Sequence, residues 1–191
     1  MKKSFSFLLL FICFLATSPS VEARSSKNMT IGILAMGNFQ LIDTQPEFDP
    51  GPGGGIYFDY RFNQRFSIQI DAWATNHSGN NNFDGDSFEI LGIPTFTIKL
   101  YFMDDEASRW DPYAGLGVGA FATTEGSVAN GTQGVGLGAQ IEVGFDYYLT
   151  DIFSIGFAGA FRSGGIINSL GQNRATALIP FSVMGRAGFH F

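Results

Sequence analysis

The sequence predicts an all-β protein: an eight-stranded antiparallel up-and-down transmembrane β-barrel. First, apolar and polar side chains alternate at period two through eight segments, which is typical of strands with two different faces. Second, short and long connectors alternate, so one end would carry the short turns and both termini, as in transmembrane barrels. Third, the chain has 21 Phe and 25 Gly but only 15% charged residues, a composition suited to an apolar solvent.

Eight strands follow from this alternation. They are expected at residues 30–41, 54–62, 65–74, 88–102, 112–124, 134–149, 152–162 and 181–191. The last strand runs to the final residue, with Phe181, Phe189 and Phe191 on one face and Arg186 and His190 on the other. Strands of this length suit a tilted crossing of the hydrocarbon layer.

A soluble barrel with the apolar face inside is the alternative, because period two alone does not say which face is outside. Two features favour the membrane form. The less apolar faces of strands one, five and seven are mostly Gly, Ala and Ser, too poor in charge for a wet surface. Aromatic residues also gather at strand ends, as interfacial girdles do. They are Phe39, Phe62, Phe66, Tyr101, Phe102, Tyr147, Phe153, Phe189 and Phe191.

The N-terminus predicts an export signal, followed by one barrel domain over residues 24–191. Residues 1–23 combine two lysines, an apolar run of about twelve residues and Val21-Glu22-Ala23 before Arg24, which is typical of a cleaved signal peptide. Removing it leaves 9 basic and 16 acidic residues, net −7, and no cysteine. We therefore expect no disulfide, and no nucleic-acid partner, which would require a basic surface.

Three stretches carry a family resemblance: "WDPYAGLGVGAF" (110–121), "GAQIEVGFDYYLTDIFSIG" (138–156) and the terminal "SVMGRAGFHF". They resemble small bacterial outer-membrane β-barrels of the OmpA, OmpX and OmpW kind, with a layout closest to OmpW-like proteins. The resemblance implies a monomer in the outer membrane, surrounded by its lipid. It also implies that Phe189 and Phe191 form the C-terminal aromatic signal read by the barrel-assembly machinery.

Strand phase assigns a set of polar side chains to the lumen. They are Asp59, Arg61, Gln69, Asp71, Glu89, Lys99, Gln140, Glu142, Asp146, Arg162 and Arg186. Eight strands enclose a space barely wide enough for side chains, and buried charges must be paired. We therefore expect a salt-bridged plug and a protein that acts mainly as a structural anchor presenting its loops.

A narrow channel for small, even apolar, solutes is the alternative that the OmpW-like resemblance implies. Apolar residues on the lumen phase could line it or could simply pack. They are Leu34, Met36, Trp73, Leu91, Ile93 and Phe121.

Catalysis and cofactor binding have weak support. Some barrels of this kind act on lipids through a Ser/His site, but His190 lies at the turn end and His77 is expected in a polar loop. Neither shows the nucleophile and orienting group that such a site needs. Asp84, Asp86 and Glu89 lack EF-hand spacing, so a solvated turn is favoured over a metal site. We expect no catalytic residue, cofactor or metal.

The long connectors are the remaining candidate sites. A surface ligand, as for an adhesin, would bind through loops 42–53, 75–87, 125–133 and 163–177.

Overall fold

The computed structural model describes residues 25–41, 49–78, 87–103, 108–125, 134–168 and 175–191. The predicted signal peptide lies outside the described residues. Among the described residues, no helix has the length and apolarity needed to cross a membrane.

Nine strand segments make up the sheet. They are β1 Met29–Gln40, β2 Gly51–Arg61, β3 Phe66–Ser78, β4 Ser87–Tyr101, β5 Trp110–Glu125, β6 Gly134–Thr150, β7 Phe153–Asn168, β8 Ala175–Leu178 and β9 Pro180–His190. Because β8 and β9 both pair with β7 and are separated by a single residue, they form one interrupted strand. The barrel therefore has eight strands, and the predicted fold class is confirmed.

The sheet closes on itself through its first and last strands. Each strand pairs with its sequence neighbour, and β1 pairs antiparallel with β9 from Thr30↔His190 to Gln40↔Pro180. Beyond this ladder, the backbones of Met29 and Phe191 exchange two hydrogen bonds of 3.3 and 2.9 Å. The final residue thus completes the closure, and this seam offers no unpaired edge to lipid.

The strands extend further at the loop end than the alternation indicates. β2 begins at Gly51, β3 continues to Ser78, β7 continues to Asn168, and β8 lies in the expected last loop. The stretch Ser163-Gly164-Gly165 carries too few side chains to show a period, yet its backbone stays paired with β6. The candidate loops are therefore shorter than predicted, and most of what remains of them, 42–48, 79–86, 126–133 and 169–174, lies outside the described residues.

Alternation sorts apolar side chains outward and polar ones inward. Ile33, Leu116, Leu137 and Ile141 are exposed on the outer face. The outward aromatics gather at the turn end, where Trp110 stacks on Phe145 with ring centroids 3.9 Å apart. Tyr101 departs from the expected girdle because its side chain is only 4% exposed and lies inside the barrel.

A β-bulge in β4 reverses the alternation partway along the strand. Ile90 and Gly92 face inward before it, and Thr95, Thr97 and Lys99 face inward after it. The pairing with β5 shifts between Gly92↔Phe121 and Thr95↔Gly119, so two residues of β4 face one of β5, as in a bulge.

The bulge overturns part of the predicted lumen lining. Ile93 is 57% exposed and points away from the lumen, and Leu91 is only half-buried. In their place Ile90 is buried on the inner face.

Candidate functional site: the lumen

Three layers of side chains fill the barrel. A turn-end layer holds Arg61 and His190, a central ionic layer holds Lys99 and Arg186, and an outer apolar chamber lies toward the loop end. Small residues make space for large ones: a Cβ on Gly32 of β1 would collide with the ring of Tyr57.

Arg61 anchors the turn-end layer. Its guanidinium lies 2.9 Å from a carboxylate oxygen of Asp111, donates to the Tyr148 hydroxyl at 3.2 Å, and lies over the Tyr101 ring at 3.7 Å. Asp111 was not among the predicted lumen residues, because strand five was expected to start at residue 112. Asp111 lies two residues before Tyr113 and therefore shares its inward face, and this spacing was the signal that could have identified it.

His190 joins three strands at the same end. Its Nε2 lies 2.8 Å from the Ser154 hydroxyl on β7, and its Nδ1 lies 2.8 Å from the Thr30 hydroxyl on β1. This Ser–His contact was missed in the sequence, since 36 residues separate the partners. A nucleophile and a base are therefore adjacent, but the group that orients the imidazole is a hydroxyl rather than a carboxylate.

One half of the central ionic layer is built around Lys99 of β4. Its ammonium lies 3.1 Å from a carboxylate oxygen of Asp59 and donates to the Gln69 carbonyl at 2.5 Å. The Gln69 amide in turn donates to Asp71 at 2.7 Å, and the Thr95 hydroxyl donates to the same carboxylate. Lys99 is fully buried, so an unpaired ammonium there would be costly.

The other half is built around Arg186 of β9. Its guanidinium lies 3.3 Å from both Glu142 and Asp146 and stacks over the Tyr57 ring at 4.4 Å. Tyr113 donates to Glu142 at 2.6 Å and accepts from Arg186 at 2.5 Å. Residues from four strands thus form one connected set.

Arg162 lies above this layer with a different environment. It donates to the Gln140 carbonyl at 2.9 Å and to the Ser182 hydroxyl, and its guanidinium faces the Trp73 ring at 4.5 Å. Gln140 donates onward to Thr97 at 2.5 Å. Within the described part of the chain, Arg162 has no carboxylate within 4 Å, so neutral acceptors and an aromatic ring solvate its charge.

Glu89 does not join these groups. It lies on the opposite phase from buried Ile90, is half-buried, and accepts from Thr124 at 3.5 Å. The bulge in β4 is the reason, since it separates the phase of Glu89 from that of Lys99. With Asp111 in place of Glu89, the described lumen holds five carboxylates and four cationic side chains.

The outer apolar chamber completes the lumen. It is the loop-end part of the buried apolar cluster of the lumen, and its side chains are Leu34, Met36, Trp73, Ile90, Phe121 and Ile166. Above it, Asn38, Thr75 and His77 form a hydrogen-bonded chain that ends on the carbonyl of Asp49. His77 is therefore buried at the end of β3, not placed in a polar loop as expected.

Two lumen cavities lined by described residues are small. One at the turn end, beside Arg61 and His190, has a volume of about 10 Å³, and one beside Arg162 and Phe121 has the same volume. Each has room for about one water. The cavity next to Ser154 and His190 is too small for a lipid or peptide substrate.

The predicted assembly residues lie at the seam. Phe189 and Phe191 are half exposed on the outer face, with ring centroids 6.5 Å apart. Asp84 and Asp86 lie outside the described residues, and the described residues contain no group of three metal-ligating side chains.

Comparisons with known proteins agree with this architecture. A family model described as outer membrane protein beta-barrel domain matches residues 5–168. OprG from Pseudomonas aeruginosa is similar in structure, with a TM-score of 0.61, 19% identity, and coverage of 90% of this chain and 99% of that one. Neisserial surface protein A has a TM-score of 0.64, 13% identity, and coverage of 87% and 98%.

The N-terminal β-barrel domain of Pseudomonas aeruginosa OprF is also similar, with a TM-score of 0.51, 14% identity, and coverage of 85% and 97%. No curated protein matches the chain. At these sequence identities the solved structures support the fold and nothing more specific. The family match covers most of the sequence, and the chain therefore belongs to the outer membrane protein β-barrel family.

Proposed function

We propose that the protein is a non-catalytic outer-membrane anchor whose lumen is closed by a side-chain plug and which acts through its surface loops. The central ionic layer carries this proposal. Lys99 and Arg186 each lie within 3.3 Å of a buried carboxylate two strands away around the sheet, and Arg186 also donates to Tyr113, three strands away. Such contacts fill the cross-section of a narrow barrel and hold its walls together.

The small lumen cavities support closure. Ion conduction requires a continuous hydrated path, and the two cavities of about 10 Å³ among the described lumen residues hold about one water each. The loops at the end opposite the short turns then remain as the functional surface, and a surface ligand is their expected partner. The proposal includes monomeric insertion by the barrel-assembly machinery after cleavage near Ala23.

Planar bilayer recording tests the plug. Purified protein at increasing amounts should give no steady conductance, while heat-modifiable migration of the same sample shows that the barrel is folded. A steady, ion-selective conductance that scales with the amount of folded protein would contradict the proposal.

A narrow channel for apolar solutes is the second candidate, and the outer apolar chamber favours it. A Trp110→Phe background leaves Trp73 as the single tryptophan, inside the chamber. Under the channel hypothesis, a medium-chain alkane should change Trp73 fluorescence saturably, and Ile166→Phe should abolish the change by filling the chamber. No saturable change in the background variant would favour the plug.

A further inference from the structure

Arg162 differs from the other buried cations of the lumen because no carboxylate contacts it. Its side chain is only 2% exposed, and among the described residues its guanidinium has no carboxylate oxygen within 4 Å. Glu142 and Asp71 act on it from farther away, and both already have partners in the central ionic layer. The charge of Arg162 is therefore buried without a counter-ion in contact.

The guanidinium of Arg162 also has unused hydrogen-bond donors. Of its five N–H groups, three donate within the described part of the lumen, to Gln140, to Ser182 and to the Met184 sulfur at 3.7 Å. Sulfur is a weak acceptor, and one N–H on each terminal nitrogen remains. The indole N–H of Trp73, whose ring faces the guanidinium, has no acceptor among these residues either. The surroundings of Arg162 thus lack acceptors for these buried N–H groups.

A cavity of about 10 Å³ lies beside Arg162. Arg162 supplies the one polar side chain of its lining, which is Ile90, Phe121, Arg162, Gly164, Ile166 and Pro180. The volume suits one water, but a buried water needs about two to four polar partners. A monatomic anion of similar size needs a positive charge instead, and it tolerates apolar neighbours because its charge has no preferred direction. The lining therefore favours an anion over a water.

We propose that this cavity is a binding site for one halide ion, of which chloride is the abundant one, held by the Arg162 guanidinium. The ion compensates the buried charge, accepts from the unused N–H groups and contacts the apolar walls. Polyatomic anions such as sulfate are too large for the cavity. The site lies above the central ionic layer, so the proposal goes beyond the anchor function and does not depend on whether that layer is dry or hydrated.

Bromide quenching of Trp73 fluorescence tests the site. In the Trp110→Phe background Trp73 is the single tryptophan, and its ring lies 4.5 Å from the Arg162 guanidinium, so a bromide bound there should quench it by the heavy-atom effect. Folded mature protein in detergent is titrated with sodium bromide, with sodium sulfate holding the ionic strength constant. Quenching should saturate, and added chloride, a poor quencher, should compete and restore the fluorescence.

Two neighbouring glycines of β7 provide matched variants. A Cβ on Gly164 would lie 3.5 Å from the Phe121 ring, an ordinary contact inside the lumen, whereas a Cβ on Gly165 would have nothing within 4 Å. Gly164→Ala therefore fills the cavity without a clash and should abolish the saturable quenching. Gly165→Ala, on the exposed outer face, should retain it.

Arg162→Gln removes the charge and should weaken bromide binding roughly tenfold or more. Arg109→Gln, just before β5 at the turn end, is the charge control and should bind bromide as the background does. Heat-modifiable migration shows that each variant is folded, and if Arg162→Gln is not, the glycine pair decides alone. Quenching that rises without saturation in the background, saturable quenching that persists in Gly164→Ala, or equal loss in both glycine variants would overturn the proposal.

Discussion

At the scale of single residues, the lumen depends on how each buried cation is compensated. Arg186 has two carboxylates and two tyrosine rings around it, whereas Arg162 has neutral acceptors and one ring. Removing one partner of a buried pair leaves the other charge uncompensated. The ionic layer should therefore respond strongly to changes at its cations.

We predict that Arg186→Met and Lys99→Met each lower the free energy of unfolding by about 3–5 kcal/mol, as expected for broken buried pairs. Urea titration in lipid vesicles measures this. Lys27→Met, at an exposed side chain, is the control and should change little. A loss below about 1 kcal/mol for both lumen variants, together with a cation-selective current, would contradict the plug and favour a hydrated channel.

At the scale of secondary-structure elements, strand alternation decides which residues meet lipid. Adjacent residues Gln140 and Ile141 of β6 illustrate it, with the first buried among lumen side chains and the second exposed on the outer face. The strand ends near the turns lie at the membrane–water interface and not in the hydrocarbon layer.

Ile141→Arg should therefore destabilise the folded barrel by about 2–4 kcal/mol in vesicles, because an arginine near the midplane faces hydrocarbon. Ile152→Arg, in the turn between β6 and β7, should cost no more than about 1 kcal/mol. Equal effects at the two sites in a urea titration would argue against this membrane position.

The bulge in β4 leads to a second prediction about strand alternation. Deleting Ile93 leaves one residue between inward-facing Gly92 and Thr95, so every other side chain keeps its face. Deleting Ile98 shifts a regular segment by one residue and turns its side chains to the wrong face. Heat-modifiable protein in outer-membrane extracts should persist in the first variant and be lost in the second. Equal loss would mean that the bulge itself is required.

At the scale of the whole molecule, closure of the barrel depends on its last residues. Phe191 pairs with Met29 through the backbone, and His190 bridges Thr30 and Ser154 across the seam. Loss of the terminus would leave the backbone at the start of β1 without its partner and open the seam at the turn end.

Deleting Phe191 should therefore reduce the folded, heat-modifiable fraction in outer-membrane extracts severalfold. Phe66→Ala, at an exposed aromatic of the turn end outside the seam, is the control and should retain most of the folded fraction. If both variants reached wild-type levels, the terminal aromatic would have no role in assembly.

Alternation along the chain was enough to predict the number of strands, the inner and outer faces of seven of them, and the inward phase of residues such as Lys99, Glu142 and Arg186. Period-two alternation is a local property of each strand, so it can be recognised in the sequence without knowledge of the tertiary fold. It failed in β4 before the bulge, where Ile90 faces the lumen and the predicted residues Leu91 and Glu89 do not. It also failed at Ser163-Gly164-Gly165, where there are too few side chains to alternate.

The contacts among lumen residues could not be predicted in this way. Arg61 with Asp111, Lys99 with Asp59, and Arg186 with Glu142 are pairs between strands far apart in sequence. Their contacts depend on strand register and barrel closure, which alternation does not specify.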